Sequence, residues 1–251
     1  MLKLEHAEVV GWESAIRGMR NPMNSWENST SDWCPNGTGY AVCSGDPRDF
    51  CPRMNTDDPA FCICSNDLDL MTRLRNAGTD HRKFMRMIIV YIDITAPLYW
   101  WKEFDTYKVG TVANSCSTMH KIHVKDFTRA DFSHEHLIEN RDLCWSNKIM
   151  AGTEDSDSPT DILDIIIEAL NIYRNAYIGT KDKQYWWQMI QLLPSSYNQK
   201  RTVMLNYEVL ANIYKSRKDH KLDEWRKFCD WIEGLPYSEI IIGENRIGKE
   251  E

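Results

Sequence analysis

Hydrophobic and polar positions change rhythm several times along the chain, and each change predicts an element. The opening LKLEHAEVVGWESAIRGM reads as a short strand followed by a helix. Asn21 to Asn66 is rich in Asn, Asp, Ser, Gly, Pro and Cys without periodicity, which predicts a loop. In NDLDLMTRLRNAGTDH, Leu68, Met71 and Leu74 fall at helical spacing, so a helix spans about 68–77, with Asn66 or Asp67 as N-cap and Gly78 as the stop. From Phe84 to Ile94 the apolar run is too continuous for a one-faced strand and predicts a strand in a sheet covered on both sides. Pro97 ends it and starts a helix through LYWWKEFDTYK.

The second half is helical in pattern. Asp126 to Ser158 is polar and unpatterned, after which SPTDILDIIIEALNIYRNAYIG opens on Ser158 or Thr160 as cap. Ile162, Ile166, Ala169 and Tyr173 mark its apolar stripe, and Gly179 closes it. Further helices are expected over Asp182–Leu193 before Pro194, over Gln199 to about Lys218, and over Lys221–Glu233. The layout is α+β: one domain over 1–251, with a Cys-rich insertion at about 27–66.

Composition narrows the partners. With 30 basic against 37 acidic residues, net charge −7, the overall field draws the chain toward neither duplex DNA nor an anionic membrane. The longest apolar run, Met87 to Trp101, is broken by Asp93 and Pro97 and is too short to span a bilayer. Lys3, Glu5 and His6 stand where a signal peptide would be apolar, so a cytoplasmic protein with free thiols is expected. Of its cysteines, Cys34, Cys43, Cys51, Cys62 and Cys64 crowd together without a CxxC pair, and an irregular insertion is favoured over a zinc site.

Candidate chemistry lies in three places. Asn206, Leu210, Ile213 and Arg217 share one face of the expected Gln199–Lys218 helix, polar at both ends. His120 with His123, and His134 with His136, could ligate a metal, but neither spacing matches a metalloenzyme signature, so no metal is expected. Cys116 has His120 four residues on, which would face it on a helix and could activate the thiol, although a small packing role suits it as well. No Walker loop, GxGxxG or GxSxG is present.

Taken together, AGTDHRKFMRMIIVYIDITAPLYWWKEFDTYKVGTVANSCSTMHK and LLPSSYNQKRTVMLNYEVLANIYKSRKDHKLDEWRKFCDWI resemble two segments of the flavin-dependent thymidylate synthases. In that family a buried strand leads to AP, a helix carries the signature RHRxxSxNExSxRY, and an LP pair precedes two spaced Asn and an Arg. The resemblance implies one buried, mostly antiparallel sheet with helices. It implies an enzyme that transfers a one-carbon unit to a pyrimidine nucleotide such as dUMP. FAD would be its cofactor, NADPH and methylenetetrahydrofolate its co-substrates, and a homotetramer its assembly. His81, Lys83, Tyr107, Lys108, Val109, Asn206 and Asn212 would then hold the cofactor. Glu103, Asn114, Cys116, Ser117, Thr118 and Arg217 would line the substrate.

The signature itself, over Thr106 to Met119, is eroded: Thr106, Tyr107 and Lys108 replace RHR, and Thr118 and Met119 replace the closing Arg and Tyr. Ile190 stands where a further nucleotide-binding Arg is expected. Each lost guanidinium contact weakens phosphate binding by on the order of 1.5 to 3 kcal/mol. Lys83, Lys102, Lys108 or Arg201 could compensate in part, and Glu103, in place of a family Gln, alters how a base edge is read. Flavin chemistry needs no protein nucleophile, so an active enzyme and a non-catalytic nucleotide-binding or interaction protein both stay open.

Overall fold

The computed structural model describes residues 2–34, 60–139 and 158–243. In chain order the elements are β1 (Lys3–Val10), α1 (Trp12–Arg20), β2 (Asp32–Cys34), β3 (Ala60–Cys62), α2 (Ser65–Asn76), β4 (Ile89–Pro97), α3 (Leu98–Phe104) and β5 (Val112–Ser115). They continue with α4 (Thr118–Lys121), α5 (Pro159–Thr180), α6 (Lys183–Leu192), β6 (Asn198–Asn206), α7 (Tyr207–Arg217), α8 (Asp223–Glu233) and α9 (Glu239–Ile242). Four strands form one antiparallel sheet in the order β1-β4-β6-β5. The α+β expectation with an antiparallel sheet therefore holds.

Four element readings are corrected. The expected Gln199–Lys218 helix is a strand, β6, followed by helix α7, because Val203 and Leu205 alternate inward with exposed or half-buried Thr202 and Met204. The Phe84–Ile94 strand begins later, since Arg82–Arg86 winds into a 3-10 turn. In β4, Val90, Ile92, Ile94 and Ala96 are buried while Tyr91 is exposed, so within this chain the strand alternates and its two faces are not both covered. Part of the segment read as loop forms a two-stranded sheet, with Asp32 opposite Cys62 and Trp33 opposite Phe61. Cys43 and Cys51, and the side chain of Cys34, lie outside the described residues.

The chain divides into two compact units. Among the described residues the first takes in 2–5, 93–106, 113–139 and 158–202. Here Lys200 on β6 pairs with Asp93 on β4 at 2.9 Å and reaches Glu5 on β1 at 3.7 Å. Trp100 and Trp101 are buried side by side, and the Arg201 guanidinium stacks 4.1 Å above Trp101. A separate core joins Ile122, Phe127, Phe132, Leu163, Leu170 and Met189. Ser158 begins α5 with a reciprocal capping box to Asp161, as the sequence expects, and the helix ends past Gly179 at left-handed Lys181. Its buried stripe is Leu163 and Leu170, with Ile166, Ile167 and Tyr173 beside it; Ile162 is exposed.

The second unit takes in the described residues 6–34, 60–92, 107–112 and 203–243. Helix α7 buries Tyr207, Leu210, Ala211 and Ile213 and packs on α8, α9 and the 3-10 turn. Trp12 meets Tyr207 and Tyr237 edge-on, each at 5.3 Å. The N-cap of α2 is Cys64, not Asn66 or Asp67. Asp67 turns inward: it is fully buried, accepts from Arg20 Nε at 2.6 Å, and takes further bonds from Ser29, Ser31 and Cys64.

Candidate functional site

In the second unit Asn206 meets the turn Tyr107–Val112, which itself carries Lys108 and Val109, whereas His81, Lys83 and Asn212 have their described contacts elsewhere. Gly110 has φ +78 and sits so near the start of α7 that a side-chain carbon there would lie 2.7 Å from Asn206 Nδ2 and 3.2 Å from Val209 Cγ2. Only glycine combines that backbone with that approach. Asn206 ends β6 and caps α7, its Oδ1 accepting from the Val209 amide at 3.0 Å. Its amide nitrogen therefore faces the turn as a donor. Thr111 Oγ1, next to Gly110, is buried without a hydrogen-bond partner, so this turn holds an unused polar group.

Arg217, at the other end of α7, is held in an aromatic cage. Its Nε donates to Tyr107 Oη at 2.9 Å, and its guanidinium lies 5.7 Å from the Tyr107 ring and 4.7 Å from that of Trp225. His220 Nε2 lies 3.0 Å from Arg217 Nη1, while His220 Nδ1 faces the Leu222 amide at 3.2 Å. The structure thus joins Tyr107 and Arg217, which the resemblance assigns to opposite ligands. Lys108 and Val109 are exposed on the same turn.

Around the start of α7, Glu208 binds both Arg82, at 3.1 Å, and Arg86. Burial alone would raise its carboxyl, but the bonds from Arg86 and Arg82 outweigh it and hold the group below its ordinary value. Arg82 Nη2 also donates to Asn212 Oδ1 at 3.3 Å, which leaves the Asn212 amide as a donor. His81 and Lys83 line a cavity of about 720 Å³ together with Arg73, Asp69, Asp80 and Phe84.

The first unit holds the expected substrate residues other than Arg217. Cys116, Ser117 and Thr118 line a cavity of about 270 Å³ with Lys121, Lys125, Asn198 and Lys200. Lys125 is paired with Asp131 and Lys200 with Asp93. Asn198 Oδ1 is buried and unpartnered. The segment expected as a signature helix is instead strand β5 and the one-turn α4, whose cap Ser117 accepts from the His120 amide at 3.0 Å. Cys116 therefore lies outside any helix and does not face His120 through helical spacing. Asn114 is exposed on β5, and Glu103 is half-buried on α3. Arg201 is engaged with Asp105 and Gln199 and stacked on Trp101.

Sequence reasoning passed over Gly110 and Thr111 as site residues, and also His220, Trp225, Lys121, Lys125 and Asn198. The KVGT turn was the available signal for the first two; the others depend on contacts distant in sequence. Among the described residues no group of three His, Cys, Asp or Glu could hold a metal ion. No described helix is long and apolar enough to cross a membrane.

The fold built around these residues is that of the flavin-dependent thymidylate synthases and a related nucleotide methylase. Thymidylate Synthase X (ThyX) from Helicobacter pylori, solved with FAD and dUMP, superposes with a TM-score of 0.59 at 14% identity, over 97% of this chain and 98% of that one. A second structure of the flavin-dependent ThyX of that organism, complexed with FAD and dUMP, gives 0.57 at 14% identity, covering 97% of each chain. The UMP/dUMP methylase PolB from Streptomyces cacaoi, bound with 5-Br dUMP, gives 0.51 at 11% identity, over 96% of this chain and 93% of that one. No protein-family model matches the sequence, and no curated protein matches it. At these identities the likeness establishes the fold.

Proposed function

We propose that this chain is a divergent flavin-dependent enzyme that transfers a one-carbon unit to a pyrimidine nucleotide, dUMP or a close relative. The observation that carries the proposal is the glycine turn at Gly110, held against the Asn206 amide with the unpartnered Thr111 hydroxyl beside it. Similar structures solved with FAD and dUMP support it. The donors fit FAD: the Asn206 and Asn212 amides, His81, and the lysines Lys83 and Lys108 suit a ligand rich in carbonyl and phosphate oxygens. When bound, reduced flavin supplies the hydride, methylenetetrahydrofolate the carbon, and NADPH the reducing equivalents.

The chain's own share is positioning. On this reading Tyr107, Lys108 and Val109 border the flavin. Glu103, Asn114, Cys116, Ser117 and Thr118 border the pyrimidine nucleotide, with Arg217 able to leave its cage for an anionic group. The protein would work in the cytoplasm as a homotetramer. A purified sample should show flavin absorbance, natively or after adding FAD, that bleaches with NADPH, and should release tritium from 5-tritiated dUMP or UMP when folate is supplied. A colourless protein that takes up no flavin would end the proposal.

The caged Arg217 and the missing signature arginines favour a second reading, a nucleotide binder without turnover. It expects thermal stabilisation by dUMP and no tritium release.

A further inference from the structure

Two polar side chains on β6, Gln199 and Arg201, stand two residues apart and so on one side of the strand. Gln199 is buried. An apolar residue would pack there without partners, whereas a buried amide is tolerated only where both of its ends are hydrogen-bonded. Here both ends are satisfied. Gln199 Oε1 accepts from Arg201 Nε at 3.0 Å, and Gln199 Nε2 donates to the Cys116 carbonyl at 3.0 Å.

The orientation of that amide is dictated by its neighbours. A guanidinium only donates and a backbone carbonyl only accepts, so the amide oxygen must face Arg201 and the nitrogen must face Cys116. Arg201 is fixed in turn: its Nη1 donates to Asp105 Oδ1 at 2.7 Å, and its guanidinium lies 4.1 Å from the centre of the Trp101 ring. Trp101 is buried and donates from Nε1 to the Gln199 carbonyl at 2.9 Å. The Cys116 amide donates to the Lys200 carbonyl at 2.9 Å. Both backbone groups of Cys116 are therefore pinned to β6, one by the strand itself and one by the Gln199 side chain.

We propose that Gln199 is a positioning residue for the pyrimidine nucleotide, and that Arg201 acts on the nucleotide only through Gln199. The inference rests on the reading that Cys116, Ser117 and Thr118 border that nucleotide. A peptide unit is planar, so holding the Cys116 carbonyl fixes the plane that runs into Ser117 and the direction of the Ser117 N–H. Without the Gln199 amide that plane can turn, and the groups that follow it lose their aim at the ligand. Arg201 is then no stand-in for the missing signature arginines: its Nε and Nη1 are bonded and its guanidinium lies against Trp101.

The test is binding of dUMP and UMP by titration calorimetry on the full chain with FAD added, alongside melting curves and hydrogen exchange of the peptide that contains Cys116. Gln199→Met keeps the length of the side chain and removes both bonds. It is expected to weaken nucleotide binding about tenfold or more and to speed exchange around Cys116, with the melt close to that of wild type. Gln199→Glu keeps the shape and the Arg201 bond but, as a carboxylate, cannot donate to a carbonyl; it should lose affinity as well, which a mere packing role would not require. Arg201→Met should show a similar loss, and adding it to Gln199→Met should cost nothing more, because no amide is left to orient. Equal affinity in wild type and Gln199→Met would overturn the assignment. So would additive losses in the double variant, which would make Arg201 a direct contact, or melts that fall in step with affinity. A wild type that binds neither nucleotide would instead end the reading on which the assignment rests, and the assignment with it.

Discussion

At the residue scale, two residues show how a position acquires meaning only from partners far away in sequence. Gly110 reads in the sequence as an ordinary turn residue; its necessity comes from Asn206 and Val209 across the fold. Gly110→Ala is expected to cost about 1 to 3 kcal/mol, because alanine must take a left-handed backbone and displace the Asn206 amide. Thermal melts should show the loss, and pairing the change with Asn206→Ala should cost less than the sum, since the clash is then relieved. Asp67 is the second case. Burial pushes its carboxyl up, yet bonds from Ser29, Ser31, Arg20 and Cys64 prevail and hold it below the ordinary carboxylate range. Its folded value lies below its unfolded one, so the stabilisation is full above the unfolded value near about 4 and fades as pH falls through the folded value. Asp67→Asn should flatten the acid limb of urea midpoints, whereas Asp67→Ala, which strands buried Arg20, should cost about 3 to 5 kcal/mol at neutral pH.

At the element scale, helices with their own start signals are legible and strand-to-helix switches are not. Ser158, Pro159 and Asp161 announce α5 unaided, and the structure has that capping box. Ser158→Ala should therefore lower stability by about 1 kcal/mol, with the loss visible in helical circular dichroism on heating. By contrast Asn206, Leu210, Ile213 and Arg217 lie on a helical period that runs backward without interruption into Val203 and Leu205. Nothing local marks the change from β6 to α7, because Asn206 serves both as the last strand residue and as the cap. The 3-10 turn at Arg82–Arg86 is similar: its Phe84 and Met85 are buried like strand residues and extend the apparent strand toward the N-terminus. The apolar stripe of α5 was misplaced for another reason. Both faces of that helix are apolar, so periodicity alone could not choose between them.

At the scale of the whole molecule, the residue pattern shows two of the sheet's four strands, β1 and β4, and a helix-rich second half, while the antiparallel sense of the sheet is legible only through the family resemblance; the fold agrees with structures only 14% identical. A fold survives such divergence because it asks mainly for inward apolar positions such as Val90, Ile92, Val203 and Leu205 and tolerates exchange among them. A binding site asks for particular atoms, and here several of those expected are already engaged: Asn206 Oδ1 in a cap, Asn212 Oδ1 with Arg82, Arg217 with Tyr107. The aromatic cage around Arg217 has one more consequence. An indole with a cation 4.7 Å from its ring is an optical gauge of that cation's position. If an anionic nucleotide draws Arg217 away, the fluorescence of Trp225 should shift on titration, and the shift should vanish in Trp225→Phe, so that the chain reports its own occupancy without a label.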